Sequence, residues 1–107
     1  MGGAIATGSS RCFPVGGIAG IPTNAVAVVL NVTAVGYGTK GWLTVYPNGQ
    51  AVPATSTLNF DTTEYAMANG TIMALGSFGQ VCVSVGTINS VPGSSHVVLD
   101  VVGYVSP

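Results

Sequence analysis

Residues 25–35 read Ala-Val-Ala-Val-Val-Leu-Asn-Val-Thr-Ala-Val. The stretch is β-branched and short, and no helical period runs through it. Read with a period of two, Val26, Val28, Leu30 and Val32 fall on one face and Asn31 and Thr33 on the other. Five further segments share this character, and the set of predicted strands is 25–35, 41–47, 55–61, 66–75, 80–86 and 95–105. A short strand is also expected around 11–15. Turn chemistry separates them, at Gly36-Tyr37-Gly38, Pro47-Asn48-Gly49, Ser77-Phe78-Gly79 and Pro92-Gly93. Asn69-Gly70 falls inside a predicted strand and reads as either a hairpin turn or a bulge. No segment reads as a helix. The pattern predicts an all-β chain forming one antiparallel β-sandwich domain, jelly-roll-like, over residues 11–107. Residues 1–10 are Gly/Ala/Ser-rich and read as a flexible or partner-contacting N-terminal arm.

The 107 residues suit one domain with a modest core. Only Arg11, Lys40, Asp61, Glu64 and Asp100 carry formal charge, so the chain is 5% charged against 48% hydrophobic. An ordinary domain carries about 25% charged residues, so much of this surface must be Ser, Thr, Asn, Gly and apolar groups. Such a surface repels neighbours weakly. Two basic residues make no basic patch, which argues against nucleic acid and anionic membranes as partners. No apolar run approaches the length of a membrane span. The N-terminus has no basic block ahead of an apolar one and does not read as a signal peptide; either a signal has been removed or the chain starts at Met1, and the initial Met favours the intact start.

Alternation assigns the faces. Leu43 and Val45 point opposite to Trp42, Thr44 and Tyr46. Val81, Val83 and Val85 line one side of their strand, and Val97, Leu99 and Val101 one side of the last. The second set of faces then carries Trp42, Thr44, Tyr46, His96, Asp100 and Tyr104, the expected interaction face. A monomer usually keeps its outer face polar. This one is partly aromatic, so a loop, the N-terminal segment or another subunit is expected to cover it.

Few residues suit chemistry. His96 and Asp100 lie four apart in one strand, about 13 Å, too far for the His–Asp bond of a catalytic triad. Asp61 and Glu64 flank Thr62-Thr63, and a turn with solvated acids explains them better than a weak Ca²⁺ site. No cofactor or metal is expected. Cys12 and Cys82 are either a disulfide closing a loop of about 70 residues or two buried thiols; the sequence leaves both open. Trp42 and Tyr46 could stack on sugar rings, though protein contact uses the same residue types.

Short motifs recur in a recognisable order: Gly20-Ile21-Pro22, Ala27-Val28-Val29-Leu30-Asn31-Val32-Thr33, Gly41-Trp42-Leu43-Thr44-Val45-Tyr46-Pro47, Ser56-Thr57-Leu58-Asn59-Phe60, Ala68-Asn69, and His96 through Gly103-Tyr104. Over about residues 20–105 this resembles an uncharacterised β-rich module repeated in secreted and cell-surface proteins of actinobacteria and other soil bacteria. The resemblance implies a surface location and carries no assigned chemistry. Members usually begin with a further strand ending in Asp-Thr-Arg; Met1 to Arg11 stand in its place here. The cysteine that some members place before Gly-Ile-Pro is Ala19. A shortened N-terminus would leave a sheet edge open, and open edges pair with other chains.

The expected function is that of a non-enzymatic structural or display module acting in an assembly. It is either a virion decoration or fibre protein of a phage that borrowed such a module, or a cell-surface assembly or adhesion domain. The expected location is the outer surface of a virion or bacterial cell. Expected partners are protein, either further copies in a homo-oligomer or lattice or capsid subunits, and glycan in the alternative reading, a carbohydrate-binding module with an aromatic face.

Overall fold

The computed structural model describes residues 3–61 and 66–107. The described residues form eight strands: β1 (Ile5–Ala6), β2 (Ser10–Pro14), β3 (Ala27–Val35), β4 (Gly41–Pro47), β5 (Leu58–Phe60), β6 (Ala66–Ala74), β7 (Gln80–Thr87) and β8 (Ser94–Val105). They form two four-stranded antiparallel sheets, ordered β1-β8-β3-β6 and β2-β7-β4-β5. The pairings nest: β4 with β5, β3 with β6, β2 with β7, and β1 with β8. Two further ladders, β3 with β8 and β4 with β7, roll this nested hairpin into two layers. An eight-stranded, two-sheet roll of this kind is a jelly roll.

The core lies between the sheets and follows the alternation. Val28, Leu30, Val32 and Ala34 of β3 are fully buried and face Leu43 and Val45 of β4 and Val81, Val83 and Val85 of β7. Val26 lies outside β3 and is exposed, because the strand begins one residue later. Shortening Leu30 to Ala would remove a side chain from a filled layer, at a cost of about 2–5 kcal/mol.

Three local features depart from the sequence reading. Asn69-Gly70 makes neither a turn nor a bulge: β6 runs straight through, with Asn69 opposite Val32 and Gly70 opposite Asn31. The Asn69 amide nitrogen donates to Thr57 O at 2.9 Å, and its oxygen accepts from Gly70 N–H at 3.0 Å. These bonds use the side chain without diverting the backbone. The bulge falls instead on β8, where Leu30 pairs with Val101 and Val29 with Gly103, leaving Val102 over. One extra residue reverses the facing of everything beyond it. Finally, strand 55–61 shrinks to β5, because Thr55–Thr57 belong to a loop folded against β4.

From residue 3 onward the N-terminal segment is tied to the sandwich. Ile5 and Ala6 pair with Ser95 and Ser94, and Ile5 enters the core. Arg11 Nη1 donates to Gly3 O at 2.6 Å and Nη2 to Ala4 O at 3.5 Å. One of the chain's two basic side chains thus ties down the segment before β1. Burial of Ile5 and these charge-assisted bonds outweigh the freedom of a Gly/Ala-rich segment. Beyond Ser95 the outer edge of β8 carries no strand among the described residues. Beside it lies a largely apolar cavity of about 300 Å³, lined by Phe13, Val15, Ile18, Leu99 and Val101 among others.

Cys12 and Cys82 are bonded. They face each other directly in the β2–β7 ladder, so β2 is held covalently at the sheet edge. The bridge spans 70 residues, and the chain-entropy model gives it about 4 kcal/mol of stabilisation. We expect the Cys12→Ser/Cys82→Ser variant to lose about 2–4 kcal/mol in chemical denaturation. Alkylation of the native protein under non-reducing conditions should add no mass.

Candidate functional site

The six residues expected on one interaction face occupy three surfaces. Trp42, Thr44 and Tyr46 lie on the outer face of the second sheet. His96 and Asp100 lie on the outer face of the first sheet, on the far side of the sandwich. Tyr104 follows the β8 bulge and pairs with Val28, whose side chain points inward. The single face therefore does not form. The physical reason is two-layer packing: both sheets turn one side inward, so their outer faces point apart.

A loop of the same chain covers most of the aromatic face of β4. Thr44 Oγ1 donates to Thr55 O at 2.8 Å, Thr57 N–H donates to Leu43 O at 2.8 Å, and Val45 N–H donates to Thr57 Oγ1 at 2.9 Å. Thr44 and Tyr46 are left only 3% and 7% exposed. Tyr46 pairs directly with Cys82, which places it beside one half of the disulfide. It cannot offer a stacking surface.

Trp42 differs. It pairs with Gly86 in the β4–β7 ladder and with Asn59 in the β4–β5 ladder. Its indole rests on Gly86, so closely that a Cβ there would lie 2.3 Å from Cε2. The ring lines an open groove of about 410 Å³ together with residues 52–56 of the loop, Thr44, and Asn59 and Ser84 from the strands on either side of β4. Every group lining this groove is uncharged.

His96 and Asp100 share a strand and a face but pair with Val35 and Asn31, four ladder positions apart. His96 lies beside Gly36 and lines a small cavity with Ile5, Arg11, Phe13 and Val97. The distance required for a His–Asp couple is not met by this arrangement. Among the described residues, no group of three or more His, Cys, Asp or Glu is placed to hold a metal ion. Asp61 lies 3.9 Å from the Lys40 ammonium, both exposed; such pairs contribute about 0–1 kcal/mol. Glu64, its partner in the weak Ca²⁺ reading, lies outside the described residues.

Sequence reading passed over one residue that breaks two rules. Phe78 was part of a turn signal only, yet it is 89% exposed and has φ +60°. A bulky residue in the left-handed region is strained. The turn is held from several sides: Val15 and Gly16 N–H both donate to Gly79 O at 3.0 Å, and Ser77 N–H donates to Asn48 O at 2.9 Å. These bonds join the β2–β3, β4–β5 and β6–β7 loops at one end of the sandwich. Ile18, Val26, Tyr104 and Val105 are exposed at the same end.

The chain matches no family model, no curated protein and no solved structure. Its surface must be read on its own chemistry.

Because Trp42 is the single tryptophan, its fluorescence reports this groove alone. Gly86→Ala should lift the indole off the strand, shift its emission to the red, and cost about 1–3 kcal/mol of stability from overpacking. Unchanged emission in a folded variant would mean that the ring does not rest on Gly86.

Proposed function

We propose that this chain is a non-enzymatic structural or display module that works through its surface as part of an assembly. The assembly is a virion, which the module decorates or extends as a fibre, or a bacterial cell surface, where it serves assembly or adhesion. The observation that carries this reading is Phe78. An exposed aromatic costs solvation, and φ +60° adds backbone strain. Folding alone rewards neither. A partner that covers the ring rewards both, because a side chain already fixed by its turn loses little freedom on binding. Buried aromatic anchors dominate the energetics of protein interfaces.

The rest of the surface is consistent with a covered subunit. Val102 of β8 and Ile72 of β6 are exposed toward the apolar end, and Val98 is exposed further along the same sheet. The free edge of β8 offers unpaired backbone groups to an added strand. Scarce charge gives little repulsion between copies. Jelly rolls serve in viral capsid and lectin domains, which is an analogy of fold and assigns no activity by itself. The family resemblance points to the same surface setting.

Phe78→Asn separates a structural role from an interface role. Asn tolerates the left-handed region, so the variant should gain up to about 1 kcal/mol of stability. The same change should weaken association about tenfold or more, the loss of a central aromatic contact. Sedimentation velocity over a wide concentration range reads self-association, and co-sedimentation with intact particles or cells of the source reads binding to an assembly. A wild-type protein that stays monomeric and binds neither particle nor cell would overturn the reading. So would association untouched by Phe78→Asn and by a charge on the exposed sheet face, Val98→Lys.

A further inference from the structure

We infer that the groove beside Trp42 is a binding site for a neutral saccharide. The inference stands apart from the assembly reading, since it uses the opposite chemistry and a different surface.

Three features of the groove converge. The first is a platform. The indole rests on Gly86 of β7, and the missing Cβ is what lets it lie down. A backed aromatic ring offers a rigid apolar surface that matches the C–H face of a pyranose. The second is placement of polar groups. Asn59 is the direct cross-strand neighbour of Trp42, so their Cβ atoms are about 5 Å apart. Ser84 lies two residues along from Gly86 on β7 and so is diagonal to Trp42, about 7 Å away. A sugar stacked on the indole would bring ring hydroxyls within reach of both. The planar amide of Asn59 presents a donor and an acceptor side by side, which suits a pair of adjacent hydroxyls. Among the described residues, neither the Asn59 amide nor the Ser84 hydroxyl is taken by a protein hydrogen bond. The third is the absence of charge in the lining. Anionic ligands would find no counter-charge there, and a neutral saccharide needs none.

The loop side of the groove fits the same ligand. Residues 52–56 are held against β4 by the Thr44–Thr55 bond and by the Thr57 bonds just beyond them, and Ser56 is among the residues that line the groove. At about 410 Å³ the space falls within the range of small-ligand sites, roughly 300–1,000 Å³. Tyr46, the other aromatic of this strand, is buried under the loop and takes no part.

The test uses the fluorescence of Trp42. The whole chain is titrated with cellobiose, lactose and N,N′-diacetylchitobiose, and applied to an array of neutral and acidic glycans. A proline-rich peptide library serves as the competing ligand class. We expect a saturable change in emission with at least one neutral sugar, or a neutral glycan on the array that then quenches or shifts Trp42 in solution. Asn59→Ala, at an exposed position on a short edge strand, should keep the fold and weaken that binding about tenfold. Trp42→Ala should abolish it, and Trp42→Tyr should retain part of it. Phe78→Asn should leave it unchanged, which keeps this result independent of the assembly reading. The inference fails if no glycan binds, if only acidic glycans bind, if Asn59→Ala has no effect, or if only the peptides occupy the groove.

Discussion

The pairing of β3 along both of its edges organises this molecule. β3 lies between β8 and β6 over its whole length, and every second side chain on it is buried. Its partner β8 arrives from the far end of the chain, so the roll closes only when the last strand returns. That return stacks the first sheet over the second and encloses Leu30, Leu43 and Val83 between them. Ladders that join distant segments pay their loop-closure entropy before they are rewarded. The disulfide offsets part of that cost, because it ties β2 to β7 across the same long separation.

Scarcity of charge takes on a local meaning once the fold is known. Arg11 is spent inside the molecule, on the carbonyls of Gly3 and Ala4. Lys40 and Asp61 stand together at one edge. Apart from Asp100 on the outer face of the first sheet, the remaining described surface is free of formal charge but not uniform. One outer face is covered by the chain's own loop, leaving an uncharged groove beside an indole, lined by small apolar residues, hydroxyls and one amide. The other outer face, with the apolar end at Phe78, is left to solvent. A neutral groove suits a ligand with hydroxyl groups, and a rigid apolar tip suits a protein surface. The two need not compete, since they lie on different parts of the sandwich.

Strand positions were largely legible because strands such as β3 and β7 turn alternate side chains into the core, and that imposes a period of two. Val81, Val83 and Val85 could be assigned to the core for that reason alone. Less legible were features set by a single residue or a distant bond. Nothing in Val101-Val102-Gly103 announces a bulge, yet one extra residue there turns Tyr104 to the other face. Asn69-Gly70 reads as a turn or a bulge because its residue types tolerate either, but a bond to Thr57 and the ladder with β3 hold it straight. Ile5 and Ala6 make too short a strand to leave a periodic trace.

Residue pattern alone was therefore enough for the all-β class, most strand positions and most of the core-facing residues, though not for Val26 and Val101, which are exposed. These follow from local alternation and composition, which the chain carries everywhere. The joining of Cys12 to Cys82, the separation of Trp42 from His96, the burial of Tyr46 and the exposure of Phe78 were decided by the assembled sandwich. Each depends on which segments meet across the two layers, and that is a property of long-range pairing that no short window contains.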